Sequence, residues 1–312
     1  MKRKFAIGTD IGGSHISCAL IDIEQAAIIK DSFESQNVDN TASADEILNV
    51  WAKTIDRSIH KTDRSQLAGI GFAMPGPFNY EKGIAMFTHE VVKYQNLYKI
   101  DVKTRLKLIL GLESDSELRF INDASAFAIG EAWLGKAKGF NRSVSITLGT
   151  GFGSAFIDDG VPVVDRPDVP VQGCVWHIPY RNGIADDYFS TRWFIRRYAE
   201  KSGKKLAGVK EIADQIVHDS QAMEVFREFG TNLGDFIGPM LKIFNAGVFV
   251  IGGNVPGAYN LFGSYLENSF KSQNLRTQIT VSGLKEDAAI IGSARLLNGE
   301  FWKKIKSLLA QM

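Results

Sequence analysis

Two runs of this chain follow one plan: "FAIGTDIGGSHISCALID" at 5–22 and "VSITLGTGFGSAFID" at 144–158. Each is an apolar stretch that breaks into a glycine-rich turn and resumes as a second apolar stretch. In the first, Ile16, Cys18 and Leu20 fall on one face by strict alternation, the mark of a strand. Repeated about 140 residues apart, the unit implies two domains built from related halves, their glycine turns facing a common cleft; coincidence of two hairpins is the alternative. A length of 312 residues accommodates two domains of ordinary size.

The rest of the chain reads as alternating helix and strand. Ser43 and Glu46 form a capping box ahead of a helix over 43–60, with Ile47, Leu48, Trp51, Ile55 and Ile59 on one stripe. "LAGIGFAMPGP" at 67–77 is a buried strand stopped by Pro75 and Pro77, and "ELRFINDASAFAIGEAWLG" at 117–135 is a strand turning into a helix at 122–124. A long buried helix is expected over 222–245, a strand at 247–254, and one or two helices after residue 286. The polar run 199–210, "AEKSGKKLAGVK", reads as a surface loop.

Composition narrows the partners. A net charge of +1 offers no bulk attraction to nucleic acid or a membrane surface, so a small molecule is the expected partner. The apolar run after "MKRK" is too short for a signal peptide and no segment reaches the length of a membrane span, which predicts a cytoplasmic protein. Cys18 and Cys174, the only cysteines, lie 156 positions apart; they are read as two buried free thiols rather than a disulfide framework.

Glycine turns let backbone N–H groups approach a ligand closely, and a phosphate is the natural occupant. The run from Gly8 to Gly13 has the spacing of a P-loop, but Ser14 stands where its lysine belongs. "GTGFG" is followed by a strand, not by the helix a dinucleotide fingerprint requires. Asp10, in the first turn, suits a hydrated Mg²⁺, a cation that favours one or two carboxylates plus phosphate oxygens. It equally suits an Asx residue capping its own turn.

Four segments then resemble, in order, the motifs of the actin-like sugar kinases and, within them, the ROK family (repressors, open reading frames, kinases). "GTDIGGSHISCALID" is similar to the first phosphate motif, "INDASAFAIGE" to the N-D-A-x-x-x-A-x-G-E segment, "LGTGFGSAFIDDG" to the second phosphate motif and "VFVIGGNV" to the adenosine motif. The resemblance covers residues 5 to about 295 and implies an α/β fold of the two-domain actin-like (ribonuclease H-like) ATPase type with a central interdomain cleft. The expected division is 1–120 plus about 290–312 for one domain and 121–289 for the larger other. It further implies Asp123 as catalytic base, Asn122 on sugar hydroxyls, and Asp10 serving Mg²⁺ through water. Gly12, Gly13, Ser14, Thr150 and Gly151 would contact ATP phosphates, with Gly252, Gly253 and Asn254 near the adenosine. Gly76, in "MPGP", would lie where relatives approach the sugar. A homodimer is implied as well.

A carboxylate suits the chemistry independently, since a sugar alcohol is a poor nucleophile and a positioned base contributes roughly 10²–10⁴-fold. A plain N-cap is the other role open to Asp123.

The chain departs from the family at 172–194, "QGCVWHIPYRNGIADDYFSTRWF". His177 matches the histidine that touches sugar, and often zinc, in relatives. Cys174 stands in place of a sugar-binding glutamate, Trp176 in place of a glycine, and Asp186 where a later glutamate contacts the sugar. The zinc cysteines are missing, so no structural zinc is expected.

The leading expectation is an ATP- and Mg²⁺-dependent hexose kinase acting at the 6-hydroxyl, like a glucokinase. An apolar Cys174/Trp176 wall leaves an N-acetylhexosamine (ManNAc or GlcNAc) kinase open, polyphosphate is an alternative donor, and a non-catalytic sugar-binding member is a further reading. With Asp10 ten residues in, no room remains for a repressor's winged helix.

Overall fold

The computed structural model describes residues 3–88, 93–112 and 117–312. In chain order its main strands are β1 (Phe5–Ile11), β2 (His15–Asp22), β3 (Ala27–Ile28), β4 (Glu34–Asn37), β5 (Leu67–Met74) and β6 (Glu117–Asn122), then β7 (Arg142–Leu148), β8 (Phe152–Asp158), β9 (Val161–Pro162), β10 (Val248–Gly253) and β11 (Gln278–Val281). The main helices are α1 (Ala44–Ile59), α2 (Asp123–Leu134), α3 (Thr191–Ser202), α4 (Ser220–Phe244), α5 (Tyr259–Ser272) and α6 (Asp287–Arg295).

The chain forms two compact units, residues 1–135 with 286–312 and residues 136–285. The sequence reading set the first crossing at 120/121, which would have placed α2 in the second unit; α2 lies with the first. The reason is a close backbone approach between α2 and α6. A Cβ on Gly130 would stand 2.0 Å from the Ala288 carbonyl oxygen, and one on Gly292 would stand 1.8 Å from that of Ala126. Only glycine permits such a crossing, and it binds the helix after β6 to the returning C-terminal segment.

The repeat in sequence is a repeat in topology. The first sheet runs β3–β2–β1–β5–β6, with β4 added on β2; the second runs β9–β8–β7–β10–β11. In each, an antiparallel hairpin continues into two parallel neighbours. The parallel strands end on one edge, so Asp10, Pro75–Pro77 and Asn122–Asp123 follow the carboxyl ends of β1, β5 and β6. Residues 149–151 and 252–254 hold the matching place in the second sheet. Crevices outside the carboxyl ends of such strands are where open α/β sheets bind ligands.

Local expectations hold in detail. Ser43 and Glu46 close the capping box of α1, and the five residues of its stripe are all buried. Phe226, Phe229, Leu233, Ile237, Leu241 and Phe244 of α4 enter the core of the second unit. The run at 199–210 is corrected: α3 continues to Ser202 because Tyr198 is fully buried, and a short helix starts at Val209. Of the thiols, Cys18 is buried but Cys174 is only half-buried. Among the described residues no helix is long and apolar enough to cross a membrane.

Candidate active site

In the first unit the site is built on the carboxyl ends of β1, β5 and β6. The β1–β2 turn closes with the Gly12 amide donating to the His15 carbonyl at 2.9 Å, so Gly12 cannot offer that amide to a ligand. The amides of Gly13 and Ser14 have no hydrogen-bond partner among the described residues. They are the free donors of this turn.

At the β6–α2 junction the helix cap is Asn122, not Asp123. Asn122 Oδ1 accepts from the Ser125 amide at 3.1 Å, and its Nδ2 donates to Asp123 Oδ1 at 3.0 Å. Asp123 is the first helical residue; the same Oδ1 accepts from the Ala124 amide at 2.8 Å. Oδ2 is left without a hydrogen-bond partner among the described residues. Burial pushes the Asp123 carboxyl above the usual carboxylate range, while the Ala124 amide, the Lys93 ammonium and Asn122 pull it back. A carboxyl of raised pKa, with one oxygen fixed by hydrogen bonds, is a stronger base than an ordinary surface carboxylate.

The Asp10 carboxyl has no hydrogen-bond or ion-pair partner among the described residues. Its carboxyl is raised to about 7, first by burial, then by the negative charge of Asp123 and of Glu286. The charges of Asp123 and Glu286 thus both bear on the buried Asp10 carboxyl. No group of three His, Cys, Asp or Glu side chains is close enough to hold a metal by itself among the described residues. Gly76 is exposed, and a Cβ there would meet only the Tyr80 hydroxyl, at 3.5 Å. That hydroxyl lies 3.4 Å from Asn122 Nδ2, so Gly76 and Asn122 flank one tyrosine.

The second unit carries the other half of the predicted set. The β7–β8 turn is folded by the Gly149 amide donating to the Gly151 carbonyl at 3.1 Å, and Gly149 O accepts from the Thr191 amide of α3 at 2.8 Å. The Thr150 and Gly151 amides have no hydrogen-bond partner among the described residues. Asn254 donates its amide to the Leu148 carbonyl at 2.9 Å, which sets Gly252–Asn254 beside this turn. Gly253 has φ +87° and no room for a Cβ, which would stand 2.3 Å from Leu148 O.

Asp186 is not a free ligand here. Its Oδ1 accepts from the Phe152 amide at 2.7 Å, and Oδ2 accepts from Arg192 Nη2. Both oxygens thus brace the turn. His177 is half-buried; its Nδ1 lies 3.7 Å from Cys174 Sγ, and Trp176 packs edge-on against its ring. Trp176 fills no core, being 46% exposed. Sequence reasoning missed Tyr80, Lys93, Arg192 and Glu286. They lie outside the glycine motifs, and only Glu286, at the head of a helix, had a local signal.

The duplicated sheet with a hairpin turn at each carboxyl edge defines an actin-like ATPase fold. The family model described as the ROK family matches residues 6–165 and 173–300, and the chain belongs to that family. It is 27% identical to the glucokinase of Thermotoga maritima, over 95% of this chain and 98% of that one. It is 25% identical to the N-acetyl-D-glucosamine kinase of Pasteurella multocida, over 80% and 83%. Among solved structures, a ROK family glucokinase from Streptomyces griseus in complex with glucose and AMPPNP aligns with TM-score 0.71 at 22% identity, over 94% of this chain and 98% of that one. That last likeness is one of fold.

Proposed function

We propose that this chain is a sugar kinase that transfers the terminal phosphoryl group of ATP to the 6-hydroxyl of a hexose, as a glucokinase does. The observation that carries the reading is Asp123. It is a carboxylate of raised pKa, oriented by Asn122 and the Ala124 amide through one oxygen. It lies on the same sheet edge as Asp10 and the free amides of Gly13 and Ser14.

In the reaction Asp123 accepts the proton of the attacking hydroxyl as its oxygen bonds to the γ-phosphorus. The bond from that phosphorus to the bridging oxygen breaks, and ADP leaves with the electron pair. Proton removal of this kind contributes roughly 10²–10⁴-fold, the rest coming from alignment and charge neutralisation. The Gly13, Ser14, Thr150 and Gly151 amides are the donors that would hold phosphate oxygens, and Gly252–Asn254 would take the nucleoside. Asp10 would hold a Mg²⁺ through water, an ion that supplies counter-charge to the phosphates. Asn122 and His177 would meet sugar hydroxyls, with Gly76 leaving room for the ring.

Asp186 is proposed in a changed role, as a brace of the second turn rather than a sugar ligand. That change, with Cys174 and Trp176 beside His177, favours the second reading of an N-acetylhexosamine acceptor. A hydroxyl-binding carboxylate is absent where an apolar wall could meet an acetyl group. One relative named above is a glucokinase and the other an N-acetyl-D-glucosamine kinase.

The test is a coupled ADP assay of purified protein with ATP, Mg²⁺ and a panel of glucose, mannose, N-acetylglucosamine and N-acetylmannosamine. Turnover with glucose above the acetylated sugars supports the first reading, and the reverse order supports the second. No turnover with any sugar removes both and leaves a non-catalytic sugar binder. Polyphosphate in place of ATP decides the donor.

A further inference from the structure

No motif singles out Lys93, yet it is the cation whose charge acts on Asp123. Its Nζ and Cε each lie 2.5 Å from where a Cβ on Gly13 would stand. The lysine side chain therefore occupies the space that the glycine leaves open over the β1–β2 turn. A Cβ at position 13 would displace the end of this lysine.

Lys93 is delivered by its neighbour. Tyr94 is fully buried, has φ 57°, and donates its hydroxyl to Gly12 O at 2.7 Å. Its amide donates to Asn40 O at 3.2 Å, and Asn40 Nδ2 in turn donates to Gly13 O. The Tyr94 ring is wedged against Trp51 at 5.4 Å and Phe87 at 5.9 Å. Three hydrogen bonds thus fasten the segment to the turn, and two ring contacts hold Tyr94 in the core.

The charges state what such a lysine is for. Lys93 has no ion-pair partner among the described residues, although Asp10, Asp123 and Glu286 gather on this edge of the unit. An ammonium lying over the turn that bears two amides unpartnered among the described residues forms a site for a compact anion. The anion that must pass within reach of Asp123, if the kinase reading holds, is the phosphoryl group in transit.

We propose that Lys93 contacts the oxygens of the transferred phosphoryl group, with Tyr94 as the residue that positions it. As the bond to the leaving ADP loosens and the bond to the sugar oxygen forms, negative charge persists on those oxygens. A preplaced ammonium neutralises it with no rearrangement at the moment of transfer.

The inference rests on the kinase reading and is separable from it. Full-length wild type, Lys93→Met, Lys93→Arg and Tyr94→Phe are compared in the coupled assay, and AMPPNP, ADP and tripolyphosphate binding is measured by calorimetry. Lys93→Met should lower kcat by about 10²-fold with sugar KM within about 3-fold, as for loss of one preorganised donor. AMPPNP and tripolyphosphate should bind about 10-fold more weakly while ADP is unaffected, and Lys93→Arg should restore at least about a tenth of the activity. Tyr94→Phe should lower kcat about 5-fold with ADP affinity unchanged. Wild-type turnover in Lys93→Met, or equal losses of AMPPNP and ADP affinity, overturns the proposal and leaves the kinase reading intact. If wild type turns over no sugar, the kinase reading falls, and an unchanged ratio of AMPPNP or tripolyphosphate to ADP affinity in Lys93→Met overturns this inference too.

Discussion

The two hairpin turns solve one backbone problem and put charge to opposite uses. Each presents two free amides, Gly13 and Ser14 in the first, Thr150 and Gly151 in the second. The first is held by neutral groups, the Tyr94 hydroxyl and the Asn40 amide, acting on carbonyl oxygens. Its charged residues, Asp10, Asp123 and Lys93, take no part in holding the turn. The second is held by a charged one: Asp186 spends both oxygens on Phe152 N and Arg192. A carboxylate next to a glycine turn thus lacks side-chain hydrogen bonds among the described residues in one place, at Asp10, and braces the fold in the other, at Asp186.

The strongest test of this contrast is Asp123→Asn. The asparagine keeps the bond to Ala124 N but cannot take the proton, so kcat should fall about 10²–10⁴-fold while sugar KM stays within a few-fold. Because burial raises the Asp123 carboxyl, the acid limb of the wild-type pH–rate profile should lie above the usual carboxylate range. The rate should rise with pH to a plateau, and a profile flat down to pH 4 would contradict the assignment.

Next comes Asp10→Asn, read as stability in metal-free buffer. The folded Asp10 carboxyl, at about 7, lies above its unfolded value, so its burial is unopposed below about pH 4 and destabilises increasingly as pH rises through 7. The variant should therefore be more stable than wild type at pH 8, by about 2–4 kcal/mol, and equal to it at pH 4. Denaturant unfolding at the two pH values measures the difference, and Mg²⁺ should narrow it for wild type only.

Asp186→Ala, which frees the second turn, should raise KM for ATP about 10-fold with a smaller effect on kcat, because one amide loses its acceptor and Arg192 its partner. A larger loss in sugar affinity than in ATP affinity would return Asp186 to the role of sugar ligand. The smallest effect is expected of Gly76→Ala. Its Cβ has ordinary clearance within the protein, so stability should stay within about 0.5 kcal/mol while sugar KM rises a few-fold.

Much of this was legible before any coordinates. Periodicity placed α1 and α4 to within two residues, and the echo between 5–22 and 144–158 pointed to the two hairpins β1–β2 and β7–β8. The strand-to-helix junction at Asn122–Asp123 was readable because an apolar run meets an Asn-Asp pair. What escaped were roles set by contacts distant in sequence. Lys93 reaches Gly13 across about 80 residues, and Asp186 reaches Phe152 across 34. Neither pairing leaves a periodic trace. That Asn122 rather than Asp123 caps the helix was likewise a matter of which side-chain oxygen met which amide.

The crossing of α2 and α6 bears on how the protein is made. The acids at positions 10 and 123 emerge early from the ribosome, but the helix that seats against β1 and α2 begins at Asp287. Until that helix is translated, the first sheet has one face without its cover, and it must wait while residues 136–285 are made. A chain truncated after Lys285 should hold a folded second unit and a protease-sensitive first one, the reverse of their order of synthesis.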